Sequence, residues 1–472
     1  MSAQPSHNPN ADPAGAEGVW TPESWRSRPI AHHVLYEDAR ALEGALRKLG
    51  SLPPLVTSWE IERLKTLMGE AQEGKRFLLQ GGDCAETLDD CRPDVITNKL
   101  KILLQMSLVL VHGSKRPVIR VGRFAGQYAK PRSQQTETRN GGGEETTLPS
   151  YFGDLINRAE FSPDARRTDP HLMVRAYQHA AMTLNFVRSL VEGGFADLHH
   201  PEYWDLSFFH HADLPPDLRA RYERMRSELS GALRFMEALG ETSVDELSRV
   251  EFFTSHEALN LHYESAQTRR VPRRTMHYNL TTHMPWLGER TRALDGAHVE
   301  YLRGVANPVG VKIGPTAQPG EVVALVRALN PGNETGKMAL ITRMGAARFA
   351  AAAEPIVRAV RDEGLRVLWV CDPMHGNTTT TSGGVKTRSF EDILSELEAA
   401  FELHAAMGGT LGGVHFELTG EDVTECVGGA SGVTEGDLER NYASLCDPRL
   451  NYQQSMELAF RIAQRMERSE AE

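Results

Sequence analysis

Residues 366–378 read Arg-Val-Leu-Trp-Val-Cys-Asp-Pro-Met-His-Gly-Asn-Thr, and this stretch decides the fold. Positions 367–371 form a continuous apolar run that includes β-branched and aromatic residues, which is typical of a strand buried on both faces of a parallel sheet. Asp372 and Pro373 end the run, and a polar loop with His375 follows. Parallel α/β folds bind ligands beyond the carboxyl ends of their strands. The stretch therefore predicts a core strand that presents Asp372 and His375 at a ligand-binding edge.

Seven further runs predict strands of the same sheet. Helical patterning separates several of the runs, as expected when strands and helices alternate. Eight strands interleaved with helices predict a (β/α)8 barrel, or TIM barrel, of the α/β class. The run at 283–288 is short, and the segment at 196–206 could be mistaken for a strand. The other strands are predicted at 77–84, 117–123, 251–257, 309–313, 338–343 and 413–417, and the helices at 95–112, 320–329, 346–363 and 390–407.

The remaining segments predict additions to the barrel. Residues 1–17 are rich in Ala, Pro, Asn, Gly and Ser and predict a disordered tail. Residues 18–72 predict a helical N-terminal extension, with too little apolar content to stand alone, that packs on the barrel or on a second subunit. The barrel is expected to occupy residues 73–472. It would contain a helical insertion at about 150–245 and, at 134–149, a polar mobile loop.

Composition narrows the classes of function. The chain has 472 residues and a formal net charge of −11, without a dense Lys/Arg stripe, which argues against nucleic acid as a partner. No uncharged apolar stretch reaches about 18 residues and no secretory signal is recognisable, so neither a membrane span nor secretion is expected. Five cysteines at irregular spacing do not resemble a disulfide framework. These features predict a cytoplasmic protein.

Cationic side chains follow several of the predicted strands. Arginine suits bidentate binding of phosphate or carboxylate, and lysine supplies a compact point charge. Taken alone, any one of these residues is about as often a surface or salt-bridged residue as an anion-binding one. Together they would repel one another without anions, so the set predicts a site for more than one anionic group. Its six members are Arg123, Lys130, Arg132, Arg290, Lys312 and Arg343.

A second set of strand-end residues has the chemistry of metal ligands. Cys84, His375 and Glu417 follow three different strands, and Asp447 lies downstream of the last one. One thiolate, one imidazole and two carboxylates suit a borderline divalent metal in an open catalytic site. Alone, Cys84 is more often an inert buried thiol and His375 a hydrogen-bonded loop residue. Cys446, next to Asp447, is a candidate for oxidative pairing with Cys84.

The motifs that carry these residues closely resemble the type II 3-deoxy-D-arabino-heptulosonate 7-phosphate (DAHP) synthases of the shikimate pathway. They extend from about residue 20 to the C-terminus. The resemblance implies a (β/α)8 barrel with an N-terminal extension and inserted helices. It also implies a transferase that condenses phosphoenolpyruvate with D-erythrose 4-phosphate and releases phosphate. The motifs include LLQGGDCAET (78–87), AGQYAKPRS (125–133), WLGERTR (286–292), NPVGVKIGP (307–315), LITRMG (340–345), CDPMHGNT (371–378) and CDPRLN (446–451).

The resemblance also implies a role for each site residue. The metal would be Mn²⁺ or Co²⁺, with Zn²⁺, Fe²⁺ and Cd²⁺ as alternatives. Lys312, His375 and Glu289 are the candidate catalytic residues, and Glu257 would orient a ligand or a water. The implied metal ligands are Cys84, His375, Glu417 and Asp447; phosphoenolpyruvate would contact Arg123, Glu289, Arg290, Lys312 and Arg343; erythrose 4-phosphate would contact Lys130, Pro131, Arg132 and Ser133.

The expected partners follow from the same resemblance. They are a second copy of the chain in a dimer or tetramer, aromatic amino acids as effectors, and a chorismate mutase. Two other functions stay open at this point. One is a different metal-dependent phosphosugar aldolase or a metal hydrolase on the same barrel, and the other is a non-catalytic regulatory barrel.

Overall fold

The computed structural model describes residues 19–141, 144–192 and 251–471, with a few isolated helical positions between 216 and 227. The predicted tail at 1–17 lies outside the described residues. So do the segment at 196–206 and nearly all of the predicted insertion beyond residue 192.

Eight parallel strands close into a barrel, which confirms the predicted fold. Each strand pairs with its neighbours in chain order, and the first strand pairs with the last, for example Gly82 with Glu417. All eight carboxyl ends therefore meet at one rim. The strands are β1 (Phe77–Gly82), β2 (Val118–Arg123), β3 (Phe252–Glu257), β4 (Met284–Leu287), β5 (Val309–Ile313), β6 (Met338–Thr342), β7 (Leu368–Cys371) and β8 (Gly413–Glu417).

Helices surround the barrel and precede it. Short 3₁₀ turns occupy Ser24–Ser27, Leu88–Asp90, Ala346–Arg348 and Glu435–Arg440. The α-helices whose bounds the structure gives are α1 (Ala39–Ser51), α2 (Ser58–Gln72), α3 (Pro93–Ser114), α4 (Pro163–Arg166), α5 (His171–Glu192), α6 (Leu261–Ala266), α7 (Ala297–Leu302), α8 (Pro319–Leu329), α9 (Phe349–Asp362), α10 (Phe390–Ala406) and α11 (Tyr452–Ala471).

Helix α2 closes the amino-terminal end of the barrel. It begins in a capping box, in which Thr57 and Glu60 satisfy each other's backbone N–H groups. Its buried residues Leu64, Leu67 and Met68 share one apolar cluster with residues near the starts of the barrel strands. Burying a side chain of this size contributes about 1.5–3 kcal/mol. The N-terminal helices therefore pack on the barrel itself, and the opposite rim stays available for ligands.

The segment at 134–149, which the sequence predicts as a polar mobile loop, contains two strands. Residues Thr136–Gly141 and Glu144–Pro149 form an antiparallel hairpin. Each strand is mostly polar and contains two threonines, and β-branched threonine favours strands even where no apolar face exists. Two shorter hairpins pair Thr268–Arg270 with His277–Asn279, and Thr378–Thr380 with Lys386–Arg388.

Helix α3 is long and apolar enough by composition to cross a membrane, and it is the one such helix among the described residues. Most of that apolar stretch, 67%, is buried inside the protein. The helix packs against α11 and the first two barrel strands. Its apolar composition is therefore explained by its place in the core.

Candidate active site

A cavity of about 560 Å³ lies at the rim formed by the carboxyl ends of the strands. All six predicted cations line it, although they come from four different strand ends. The structure thus brings the predicted anion-binding set to one place. Six further predicted site residues also line the cavity: Pro131, Ser133, Glu257, Glu289, His375 and Asp447.

Three of the predicted metal ligands form a compact group beneath this cavity. The Cys84 thiol and one carboxylate oxygen each of Glu417 and Asp447 lie within 4.8 Å of one another. The fourth, His375, reaches this group through Glu417, because its Nε2 atom lies 3.0 Å from Glu417 Oε1. The four side chains come from distant parts of the chain, and the closed barrel places them together.

The side chain of Lys130 lies in the middle of this group, which the sequence did not predict. Its ammonium contacts the Cys84 sulfur, and it lies 3.0 Å from Glu417 Oε1 and 2.8 Å from Asp447 Oδ2. Three ligand atoms can therefore converge on a single cation. Burial raises the pKa of the Cys84 thiol, so its thiolate needs a positive charge beside it. The donor set and its geometry fit a divalent metal ion.

Asp372 fixes the orientation of His375. The Asp372 carboxylate is fully buried, accepts a hydrogen bond from His375 Nδ1 at 2.8 Å and pairs with the Lys312 ammonium. Burial alone would raise the pKa of Asp372, but His375 and Lys312 outweigh burial and hold it well below its usual range. Nε2 of His375 is left facing Glu417, as carboxylate–histidine–metal arrangements require. Asp372 was recognised in the sequence as a strand-end residue, but its role as an orienting residue was not.

Arg388 supports Glu417 from the side away from the cavity. The Glu417 carboxylate is fully buried between Arg123, at 2.9 Å, and Arg388, at 2.8 Å. Burial would raise the pKa of Glu417, yet His375, Lys130 and these arginines hold it well below its usual range. Arg388 also donates to the Pro448 carbonyl, next to Asp447. No local sequence signal marked Arg388, because its partners are distant in the chain.

The cationic side chains of the cavity differ in the protein groups that already accept their hydrogen bonds. Arg290 donates to Ser133 Oγ at 2.8 Å, and Arg343 donates to the His375 carbonyl at 2.8 Å. The Nε atom of Arg343 is buried without a protein partner. Trp286 forms an aromatic floor, with the Arg123 guanidinium 5.2 Å and the Lys312 ammonium 6.0 Å from its ring centre. Arg343 thus keeps an N–H donor that no protein group accepts, while Arg123 and Lys312 are already paired with Glu417 and Asp372.

Two acidic residues of the cavity have different surroundings. Glu289 accepts hydrogen bonds from the Gly314 N–H at 2.6 Å and from Arg292 at 2.9 Å, so it holds the loop after β5. Glu257 is partly buried and lines the cavity, and its Oε1 atom is buried without a hydrogen-bond partner. Burial raises the pKa of Glu257. A Cβ atom on Gly288 would lie 2.0 Å from Oε1, so this oxygen packs against the loop after β4.

Glu396 of α10 joins the loops after β6 and β7. Its buried carboxylate accepts hydrogen bonds from the Met344 N–H and from Asn377 Nδ2, both at 2.7 Å. Burial raises the pKa of Glu396 to about 7. The two loops also meet backbone to backbone, since a Cβ atom on Gly376 would lie 2.2 Å from the Gly345 nitrogen. These contacts fix the segments that carry Arg343 and His375.

The fold and the site together define a class of protein. A (β/α)8 barrel with cations from several strands around one cavity, and with a compact thiol–carboxylate group below it, has the features of a barrel enzyme that acts on phosphorylated substrates.

Comparison with known proteins gives the family. The model of the class-II DAHP synthetase family matches residues 20–463. The chain is 48% identical over 471 residues to a phospho-2-dehydro-3-deoxyheptonate aldolase of Neurospora crassa, which covers 96% of both chains. It is 45% identical over 441 residues to the enzyme of that name from Streptomyces coelicolor, covering 93% of this chain and 96% of the other. The chain therefore belongs to the class-II DAHP synthetase family, which confirms the resemblance seen in the motifs and the predicted DAHP synthase activity.

Solved structures add little to this assignment. The structure of phospho-2-dehydro-3-deoxyheptonate aldolase from Francisella tularensis SCHU S4 aligns over 96% of this chain and 98% of that chain. Its sequence identity to this chain is 13% and the TM-score is 0.45.

Proposed function

We propose that this cavity condenses phosphoenolpyruvate with D-erythrose 4-phosphate and water to give DAHP and inorganic phosphate, the first step of the shikimate pathway. One observation carries the proposal: six cations and a compact group of metal-ligand type meet at one barrel rim. Both substrates are phosphorylated, and phosphoenolpyruvate also carries a carboxylate. The site therefore has to neutralise three anionic groups, which matches the excess of cations.

Cys84, His375, Glu417 and Asp447 would hold the divalent metal ion. The mixed sulfur, nitrogen and oxygen donors suit a borderline ion, and we propose Mn²⁺ or Co²⁺. When bound, the metal supplies a Lewis acid that polarises the aldehyde of erythrose 4-phosphate, an effect of several kcal/mol in enzymes of this kind. Asp372 and Arg388 keep His375 and Glu417 in place for this role.

Arg123, Arg290, Lys312 and Arg343 would bind phosphoenolpyruvate. They lie around the Trp286 floor, so both the carboxylate and the phosphate of this substrate can be paired while its enol carbon faces the cavity. Holding the two reactants in line replaces an unfavourable bimolecular encounter. Glu289 would act indirectly, by fixing the loop after β5.

The segment from Lys130 to Ser133 would receive the phosphate of the aldose. Arg132 and Ser133 line the cavity, and Arg290 joins this segment to the phosphoenolpyruvate side through Ser133 Oγ. The distance between the two substrates is thus set by side chains that contact each other.

The reaction needs a carbon–carbon bond and then a water. Carbon 3 of phosphoenolpyruvate attacks the aldehyde carbon, water adds at carbon 2, and the resulting tetrahedral centre expels phosphate. We propose that Glu257, which lines the cavity, holds that water, since burial raises its pKa and suits it to proton transfer. Protonated Lys312 would balance the negative charge that develops on the substrate, and His375 stays fixed by Asp372.

We also propose a homo-oligomer, a dimer or tetramer, in which the exposed Trp59 and Leu35 of the N-terminal extension are buried. Aromatic amino-acid effectors, a chorismate mutase partner and a cytoplasmic location complete the proposal. The cysteines of the described residues are all free thiols, which suits a reducing compartment. Light scattering of the purified protein, and steady-state rates with added Trp, Phe and Tyr, test the assembly and the effectors.

A phosphate-release assay tests the reaction. Purified enzyme with Mn²⁺ should release phosphate from phosphoenolpyruvate only when erythrose 4-phosphate is present, with one DAHP formed per phosphate. Phosphate release without the aldose would contradict the synthase and favour another activity on this barrel. The absence of turnover with every divalent metal would favour a regulatory barrel.

A further inference from the structure

The proposed binding of the aldose phosphate does not explain where the Lys130 ammonium lies. The Lys130 side chain is 9% exposed, and its ammonium contacts all three atoms of the compact ligand group. The ammonium does not point at Arg132 or Ser133, its neighbours in the proposed aldose site, but at Cys84, Glu417 and Asp447. A lysine that only bound substrate would have no need of these contacts.

A metal ion and this ammonium cannot share the position. Metal bonds to thiolate and carboxylate are about 2.0–2.3 Å long, so an ion held by these three atoms would lie where Lys130 Nζ now lies. Two cations at such a separation would also repel strongly in a buried site. One of them has to leave when the other is bound.

We propose that Lys130 acts as an exchangeable cation: it holds the ligand group together until a divalent metal is taken up, and its ammonium then turns into the cavity to bind an anionic substrate. The inference rests on the proposed metal site. Lys130 lines the cavity, and its other surroundings are buried protein, so the cavity is the direction open to it. Metal uptake and anion binding are then coupled through one side chain, and the coupling is reciprocal.

The first test measures metal affinity without substrate. Mn²⁺ binding is followed by electron paramagnetic resonance of the free ion, for wild-type enzyme and for Lys130→Met. Because the metal no longer has to displace an ammonium, Lys130→Met should bind Mn²⁺ about tenfold more tightly or better, the equivalent of at least one charge-assisted contact. Lys130→Gln, which is also uncharged, guards against a folding defect of the first variant and should show the same gain.

Lys386 offers a matched control. Its ammonium also pairs with Asp447, through Oδ1 at 2.9 Å, but it lies outside the ligand group and is half exposed. Lys386→Met removes the same charge from the same carboxylate without clearing the central position. Its Mn²⁺ affinity should change less than about threefold, as expected for an exposed pair. If Lys386→Met and Lys130→Met gained equally in Mn²⁺ affinity, the gain would be a general charge effect, and the proposed exchange would be overturned.

The second test measures coupling, with inorganic phosphate as the probe. In wild-type enzyme, saturating Mn²⁺ should tighten phosphate binding, measured by calorimetry, and in Lys130→Met this gain should disappear. A gain that persists in Lys130→Met, or an unchanged Mn²⁺ affinity in both Lys130 variants, would overturn the inference and leave the metal site standing. Wild-type enzyme that binds no Mn²⁺ would overturn the metal site itself.

Discussion

The pH dependence of phosphoenolpyruvate use should depend on Lys312. Lys312 is 4% exposed, and its ammonium pairs with Asp372 and lies over the Trp286 ring. Burial lowers its pKa to about 8; Asp372 opposes this shift and the nearby Arg123 adds to it. A lysine in water titrates near 10.4. The charge that would bind the substrate is therefore lost within a range that an assay can reach.

The size of the effect follows from that pKa. At pH 7 roughly nine tenths of the enzyme carries a charged Lys312, and at pH 9 roughly one tenth does. The value of kcat/KM for phosphoenolpyruvate should therefore fall about tenfold per pH unit above pH 8. The shift amounts to roughly 3 kcal/mol against charging the folded protein. Because the unfolded chain keeps this proton to higher pH, the cost to stability is present below pH 8 and is relieved as the pH rises toward 10.5.

The assay is kcat/KM for phosphoenolpyruvate between pH 6 and 10, at saturating metal and erythrose 4-phosphate. Lys312→Arg keeps a positive charge at every pH, since arginine does not titrate in this range, and should lose the alkaline fall even if its rate is lower throughout. Lys386→Arg, a similar change at a half-exposed lysine of the same cavity, should keep the wild-type profile. An alkaline fall that is unchanged in Lys312→Arg, or absent from the wild-type enzyme, would exclude Lys312 as the titrating group.

Three further predictions concern other parts of the site. Arg123→Ala should raise the KM for phosphoenolpyruvate on the order of 10²-fold, and far more than the KM for the aldose, because a buried charge-assisted contact is lost; equal effects on both would reassign the residue. Chelation should abolish activity and Mn²⁺ or Co²⁺ restore it, with a weakened metal affinity in Cys84→Ala; full activity and affinity in that variant would remove the thiol from the site. Glu396→Ala should lower the free energy of unfolding by roughly 2–3 kcal/mol and raise the KM for phosphoenolpyruvate, because the Met344 N–H and Asn377 lose their buried acceptor. Glu396→Gln should restore part of the stability and part of the KM, which thermal unfolding and steady-state kinetics can check. If the two variants do not differ, Glu396 does not join the two loops.

The barrel was predictable because its strands are short apolar runs with helices between them, a pattern that local sequence carries. Even the short strand β4 lies where the run at 283–288 predicted it. The hairpin at 136–149 was missed, because a polar, glycine-rich stretch has no apolar periodicity and its strands are specified by threonines. The closure of the barrel by α2 was not predictable either, since a helix pattern does not identify the surface it covers.

The sequence predicted which residues form the site better than it predicted the contacts between them. The cations and the candidate metal ligands could be identified because they follow predicted strands, and parallel strands of one barrel end at the same rim. The position of Lys130 among the metal-ligand candidates, and the support of Glu417 by Arg388, depend on side-chain reach across strands. Such contacts leave no spacing rule in the sequence.

Four side chains from distant segments are proposed to hold one metal ion at the rim. Anomalous diffraction from crystals of the enzyme grown with Mn²⁺, recorded at the manganese edge, tests this arrangement. We expect a single strong peak at bonding distance from Cys84 Sγ, His375 Nε2 and the carboxylates of Glu417 and Asp447. A peak bound elsewhere, or an active crystal form with none at these side chains, would contradict it.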